Sequence, residues 1–352
     1  MKKVFLGDIT VNLDNRRKPL NNQARAKISK EGLYPYYGAN NIMDYVDEYI
    51  FDEEILCVAE DGGNWGLKEK CSYIVNGKCW VNNHAHVLSA KDGINIKYLY
   101  YYLNYHDLSK HITGTTRGKL TKTALSGIEI LIPAEDVQNK IVEILDKAQE
   151  LIDKRKEQME LLDELVQSRF LEMFGNPITN SKNLSVKNFE EVIVLQRGYD
   201  LPTYKRDESG AYNVWGSNGI LSKHNEYKVN TEGVITGRSG SLGNVYYTKE
   251  PYWPLNTTLF SKDTCGNNVV YLTYLLRFYD LKRFSNGTGV PTLNRNLLNG
   301  EKIIDVPLAL QEEFADFVEK VNDIKSVLNK SLKQLNNNFD SLMQKAFKGE
   351  LF

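Results

Sequence analysis

Disulfides, membrane spans and the common catalytic signatures are all missing from this chain of 352 residues. Its four cysteines, Cys57, Cys71, Cys79 and Cys265, include no CxxC pair and read as ordinary reduced thiols rather than a disulfide framework. No run approaches the roughly 18 apolar residues that a membrane span needs. The opening MKKVFLGDIT places only three apolar residues between its lysines and Gly7, too few for the core of a signal peptide. These absences predict a cytoplasmic chain without a membrane partner. There is no GxxxxGK[ST] loop for nucleotide phosphates, no HExxH and no GxSxG. The glycines between Gly237 and Gly243 fall at the wrong intervals for a dinucleotide fingerprint and read as a turn between strands. Asn176-Pro177-Ile178 lacks the second proline and the aromatic of an adenine-methylating motif, and reads as a helix stop. No catalytic residue is assigned.

A repeat fills the space left by these exclusions. Gly114 to Lys122, GTTRGKLTK, and Gly287 to Arg295, GTGVPTLNR, share Gly, Thr, Leu and a closing basic residue at the same four places, 173 positions apart. At the same offset Trp80 matches Trp253, Asn83 matches Asn256, Gly127 matches Gly300 and Gln138 matches Gln311. Further upstream the offset becomes 178, where YGANNI (Tyr37 to Ile42) faces WGSNGI (Trp215 to Ile220). Loop insertions produce drift of this kind. The chain is long enough for two domains, each with its own core.

Each repeat closes on a segment of helical period. From Phe314 the apolar positions run through Phe317, Val321, Ile324 and Leu328, and after one stutter through Leu335 to Leu342, a coiled-coil spacing. Subtracting 173 gives the first copy, with Ile141, Ile144, Leu151, Leu162 and Val166 on its stripe and Arg155 and Arg169 interrupting it. Pro133 and Pro307 stand before the two segments, Glu135 and Asp136 suit a helix N-terminus, and Gly175 and Gly349 suit the ends. About forty residues at 1.5 Å each make helices on the order of 60 Å long, whose apolar stripes need a partner. The nearest partner is the other copy. These residues read as structural, and their length as a means of holding two globular segments apart.

The division predicted is therefore 1–134 globular, 135–175 helical, 176–308 globular and 309–352 helical. Short alternating runs such as Ile55 to Val58, Cys71 to Val75, Val234 to Thr236 and Val245 to Thr248 read as strands, and Ile96 to Leu103 and Val269 to Leu281 as helices. The fold class is α+β.

Charge is unevenly spread although the net value is only −1. Counting Lys+Arg less Asp+Glu, residues 1–133 carry 17−15 = +2, 134–176 carry 6−11 = −5, 177–307 carry 15−12 = +3 and 308–352 carry 6−7 = −1. If the chain touches nucleic acid, the two globular segments do so. Candidate DNA contacts in loops are Arg117, Lys119 and Lys122 in the first segment, and Tyr199, Lys205, Arg238, Ser239 and Arg295 in the second, side chains suited to phosphate oxygens and base edges. Arg16-Arg17-Lys18 and Arg197 share that character. Cys71, Cys79, His84 and His86 are zinc ligands by type, yet C-x7-C-x4-H-x-H matches none of the common metal frameworks, and the second repeat holds no Cys or His at the positions of Cys79, His84 and His86. No metal is assigned.

Together the opening repeat, LTKTALSGIEILIP with LNRNLLNGEKIIDVP, the YGANNI and WGSNGI turns, RGYDLP (Arg197 to Pro202), SRFLEMFGNP (Ser168 to Pro177) and KAFKGELF (Lys345 to Phe352) cover nearly the whole chain. In this combination the sequence resembles the DNA-specificity subunits of type I restriction-modification enzymes. The resemblance implies two mixed target-recognition domains in a pseudo-two-fold arrangement, separated by two long antiparallel helices that form an intramolecular coiled coil. It implies a non-catalytic, sequence-specific binder of double-stranded DNA reading a bipartite, asymmetric target. It also implies two methyltransferase subunits and restriction subunits as partners, with S-adenosylmethionine, ATP and magnesium on those partners and no cofactor on this chain. Rival readings are a duplicated carbohydrate-binding adhesin and a zinc-dependent nuclease built on the Cys71 to His86 cluster.

Overall fold

A computed structural model describes residues 1–114, 116–286 and 291–352. Thr115 and residues 287–290, which include the repeated Gly287, lie outside the described residues. Two compact units are formed, one from Met1–Lys154 with Ser331–Phe352 and the other from Arg155–Lys330. Both long helices are continuous, Glu135–Phe174 and Leu308–Lys348, so each gives one end to each unit.

In the first unit the run ILCVA has no polar face because its strand, Ile55–Ala59, lies inside a sheet and is buried throughout. That antiparallel sheet has the spatial order Thr10–Asn12, Ala85–Ala90, Ile55–Ala59, Ser72–Val75. A second sheet orders Ile42–Val46, Tyr34–Tyr37, Lys78–Val81 and Phe51–Asp52, its middle pair parallel. Helix Ile96–Tyr105 starts where the side chain of Asn95 accepts the N–H groups of Lys97 and Tyr98, and it buries Tyr98, Leu99 and Leu103 against the first sheet. Lys2–Phe5 pairs with Glu129–Ile132 just ahead of the first long helix.

The second unit repeats this order with one edge strand fewer. Val194–Arg197, Thr258–Asp263, Gly233–Gly237 and Val245–Thr248 form the four-stranded sheet. Gly219–His224, Tyr212–Gly216 and Tyr252–Pro254 form the second sheet, again with one parallel pair. Helix Val269–Tyr279 is capped by Asn268 as its counterpart is by Asn95. It stops short of the expected Leu281 because Asp280 turns to φ +53°, a left-handed conformation that ends a helix. The edge strand Phe51–Asp52 has only an isolated bridge between Val229 and Tyr252 as its equivalent.

Packing of the long helices is readable within each unit. In the first, Ile141, Val142 and Leu145 share a core with Met343, Ala346 and Phe347. In the second, Val166, Phe170 and Phe174 share a core with Phe314, Val318 and Val321. Arg169 pairs with Glu313 at 2.8 Å and Asp163 with Lys325 at 2.6 Å, so one helix ascends as the other descends. Gly175 and Gly349 follow the helix ends at φ +71° and +76°, the left-handed stop that glycine adopts without strain.

Among the expected seam residues, Ile141, Val166, Phe314 and Val321 are buried, whereas Ile144, Leu162, Phe317, Leu328, Leu335 and Leu342 are half-buried. Leu151 and Ile324 do not belong to the seam, being 55% and 49% exposed. Beside Leu151 it is Ile152 that is buried, and beyond Ile324 the next residue, Lys325, turns to Asp163. A straight α-helix drifts roughly 20° per heptad from a strict seven-residue repeat, and that drift carries the stripe off the packed face near the stutter. The buried face is also wider than two positions per heptad, because each helix end covers the core of a unit as well as the other helix.

Candidate nucleic-acid interface

The described end of the repeated stretch, Lys119–Leu120 in one unit and Thr292–Leu293 in the other, returns to the same place in each unit. In the first, strand Ile55–Ala59 runs on into Glu60 and Asp61, and the stretch docks against them: Leu120 N donates to Glu60 O at 2.8 Å, and Asp61 bridges Lys119. In the second, strand Gly233–Gly237 runs on into Arg238 and Ser239. Leu293 N donates to Arg238 O at 2.7 Å, and Ser239 bridges Thr292. Leu120 and Leu293 are both buried and anchor the stretch. The backbone is thus the same in the two units while its side chains differ, the carboxylate Glu60 standing where the guanidinium Arg238 stands and the carboxylate Asp61 where the neutral Ser239 stands.

Around Glu60 the first unit is internally compensated. Arg17 Nη1 lies 2.7 Å and Lys119 Nζ 3.0 Å from the two oxygens of Glu60, and Arg17 Nε is 3.4 Å from Asp14. His86, almost wholly buried, reaches Asp14 Oδ2 through Nδ1 at 2.6 Å and Leu120 O through Nε2 at 2.8 Å. Burial pushes the Asp14 carboxyl up, but hydrogen bonds from His86, Asn12 and the Val87 N–H outweigh it and hold Asp14 below its ordinary value. Burial acts on Glu60 likewise and is outweighed by Arg17 and Lys119. At the solvent edge Asp61 takes both Arg117, at 2.8 Å, and His84 Nδ1, at 2.8 Å.

Asp14, Glu60 and His86 bring ligand atoms within 4.8 Å of one another, the one such metal-ligating group among the described residues. Arg17 and Lys119 already neutralise its carboxylates and both His86 nitrogens are engaged, so the donor set does not call for a metal. Cys71 and Cys79 are no part of it. Cys71 Sγ lies against Leu103 O, and Cys79 packs in an apolar cluster with Phe51 and Val81. A zinc nuclease centre at Cys71 to His86 is not assembled among the described residues.

The candidate contacts separate accordingly. Arg117 and Lys119 meet at the Asp61–Glu60 corner, while Lys122 stands exposed at the start of the short helix Lys122–Ser126. In the second unit Arg238 and Arg295 line one cavity of about 420 Å³ together with Arg197, Asn286, Asn294 and Asn296. Ser239 is tied to Thr257 O through its N–H at 3.2 Å. Tyr199 is half-buried against Leu201 and Phe260 rather than projecting freely. Lys205 is exposed next to Tyr204, which at 82% is the most exposed large hydrophobic residue among the described residues. Glu60, Asp61 and His86 are the members that reasoning from basic loops misses. The signal was present, since the 178-residue offset aligns Glu60 with Arg238.

A duplicated α+β fold with charged side chains gathered where each repeated stretch docks defines the class. Residues 1–161 and 181–337 match the type I restriction modification DNA specificity domain, and the chain belongs to that family. It is 28% identical to a putative type I restriction enzyme specificity subunit of Haemophilus influenzae, over 93% of this chain and 89% of that one. A shorter likeness, 29% identical over 33% of this chain and 28% of the relative, is to the EcoprrI specificity subunit of Escherichia coli. The crystal structure of the type I restriction-modification S subunit from M. genitalium superposes with a TM-score of 0.63 at 16% identity, covering 98% of this chain and 96% of that one. A chain from a study of assembly and conformational transition in the type I system superposes at 0.57 and 13% identity, over 99% and 98%. The chain is a type I specificity subunit and not one of the catalytic chains.

Proposed function

We propose that this subunit binds double-stranded DNA at a bipartite, asymmetric target, each unit taking one half, and positions two methyltransferase subunits and the restriction subunits there. The reading domains are 1–134 and 176–308, and the helices 135–175 and 309–352 are the spacer. One observation carries the reading: the two units share a backbone at the Leu120–Glu60 and Leu293–Arg238 junctions yet place different side chains there, a carboxylate paired with Arg17 and Lys119 in one and an arginine in the other. Two copies of one scaffold with different side chains suit two different half-targets. Arg117, Lys119 and Lys122 serve one half, and Arg238, Ser239, Arg295, Lys205 and Tyr199 the other. S-adenosylmethionine, ATP and magnesium belong to the partner subunits, and the complex works in the cytoplasm. Among the described residues no helix is long and apolar enough to cross a membrane.

Co-purification with a methyltransferase subunit, followed by mapping of methylated adenines in the genome, gives the target. Footprinting on that target then tests the assignment. Arg238→Ala is expected to weaken protection of one half and Arg117→Ala of the other. Both substitutions altering the same half would overturn the assignment of one half to each unit.

A further inference from the structure

We infer that the cavity of the second unit framed by Arg197, Arg238 and Arg295 is a phosphodiester site, which anchors the DNA backbone without reading sequence. The inference deepens the DNA-binding reading above and rests on it.

Uncompensated charge is the first argument. Three guanidinium groups line one cavity, and among the described residues no carboxylate lines it. Arg238 and Arg295 form no ion pair among the described residues, and their side chains touch only backbone oxygens at long range, Asn256 O at 3.5 Å and Leu195 O at 3.3 Å. Arg197 reaches Asp200 at 3.9 Å, with both side chains well exposed. Like charges gathered around a concavity raise a local potential that an anion relieves. At the equivalent corner of the first unit Glu60 and Asp61 supply that relief from within.

Rigidity is the second. Arg238 N donates to Thr257 O at 2.8 Å and Arg238 O accepts from Leu293 N at 2.7 Å, so the residue is fixed from both sides. Asn294 accepts the Asn296 N–H on its side-chain oxygen at 3.0 Å, which leaves its amide NH2 as a donor. Arginine and asparagine donors on a held backbone suit phosphate oxygens.

Shape separates phosphate from base. Phosphates project from a duplex and enter a concavity, whereas base edges lie recessed in the grooves and are met by projecting side chains. A flipped base would need an aromatic or broad apolar wall to stack on, and among the described residues the lining offers only Leu259 and Leu293 as apolar residues and no aromatic.

The test measures equilibrium binding of the full-length chain to its mapped target duplex across a salt series, for the native protein and for Arg238→Gln, Arg295→Gln and Arg238→Lys. Arg295 is exposed, so its substitution leaves folding intact and backs up the half-buried Arg238. Loss of one phosphate contact lowers the magnitude of the log–log salt slope by about 0.9. The expected result is that drop for either glutamine variant, no change in the ranking of single-base target variants, and a native slope for Arg238→Lys. A slope that stays native while discrimination at one base pair collapses would make the site a base reader and overturn the inference. Inorganic phosphate, titrated against chloride at equal ionic strength without DNA, forms the second arm. Arginine-dependent phosphate binding with a DNA slope insensitive to the substitutions would assign the cavity to a free anion and overturn the inference equally. Failure of the native chain to bind any duplex would instead defeat the DNA-binding reading itself.

Discussion

Gln138 takes the backbone N–H of Asn95 onto its side-chain oxygen at 2.9 Å, and Gln311 does the same for Asn268 at 2.9 Å. Each glutamine sits in the first turn of a long helix, is 1% exposed, and spends its NH2 group on two further oxygens: Gly93 O and Pro133 O in one case, Asn267 Oδ1 and Val306 O in the other. Each asparagine caps the helix of its own unit. The pair of contacts therefore locks the start of each long helix to the unit it follows. Replacing Gln138 or Gln311 by Leu keeps the volume and strands several buried polar groups, each costing about 1–3 kcal/mol. Urea unfolding is expected to shift its midpoint downward for both variants, and an unchanged midpoint would show that the glutamines merely fill space.

Phe170 tests the other end of the same helix. It is fully buried, with ring centroids of Phe278 at 4.8 Å, Phe174 at 5.0 Å and Phe314 at 5.5 Å. Phe170→Ala should cost about 3–5 kcal/mol, whereas Leu165→Ala, at a position 47% exposed, should stay within about 0.5 kcal/mol. Equal costs in thermal or urea unfolding would contradict the packing described for this helix.

Much of this was legible in the sequence, and the reasons differ by element. Matching residues 173 and 178 positions apart could hold register only if each half kept the same backbone, so the repeated strand order, the paired asparagine caps and the buried glutamines follow from it. The helical stripe was less reliable. A two-per-heptad pattern selects Leu151 and Ile324, which are exposed, and passes over Phe170 and Ile152, which are buried, because each helix packs on the core of a unit as well as on the other helix. The site was the least legible part. A search for basic loops finds Arg117, Lys119, Arg238 and Arg295 but says nothing of which are already paired. Glu60 and Asp61 neutralise the first two, and only the fold brings residues some sixty positions apart into contact.

Thiol chemistry offers a simple check on burial. Cys57, Cys71 and Cys79 are buried and Cys265 is exposed. Burial pushes the Cys71 and Cys79 thiols up to about 12, and Cys57 higher still. The native protein should present Cys265 alone to a thiol reagent, with the other three titrating after denaturation. Early labelling of Cys71 would mean that the sheet of the first unit opens readily. Burial also raises the Cys265 thiol, so its labelling should quicken as pH rises.

Acid offers a test of the charged corner in the first unit. Asp14 and Glu60 both sit below their ordinary values of 3.8 and 4.5, Asp14 facing His86, Arg17 and Asn12, and Glu60 facing Arg17, Lys119 and His86. A carboxylate depressed by folding contributes stability that is complete above its unfolded value and is lost as pH falls through the folded one. The contribution should therefore be whole at neutral pH, begin to fall below about 4.5 for Glu60 and 3.8 for Asp14, and vanish once pH passes below the depressed values. Asp14→Asn and Glu60→Gln are expected to lower stability at pH 7 and to flatten the acid limb of a stability–pH profile, so that native and variant curves converge at low pH. Glu60→Gln carries a second consequence. It leaves Lys119 without its carboxylate and Arg17 with Asp14 alone, converting the corner toward the uncompensated state found around Arg238. Binding of duplex DNA by that variant should become more dependent on salt than the native chain's, by a slope increment of up to about 0.9 for each phosphate newly engaged. A native salt slope for Glu60→Gln, alongside the expected loss of acid-sensitive stability, would confine Arg17 and Lys119 to holding the fold and leave only Arg117 and Lys122 as the proposed DNA contacts of that corner.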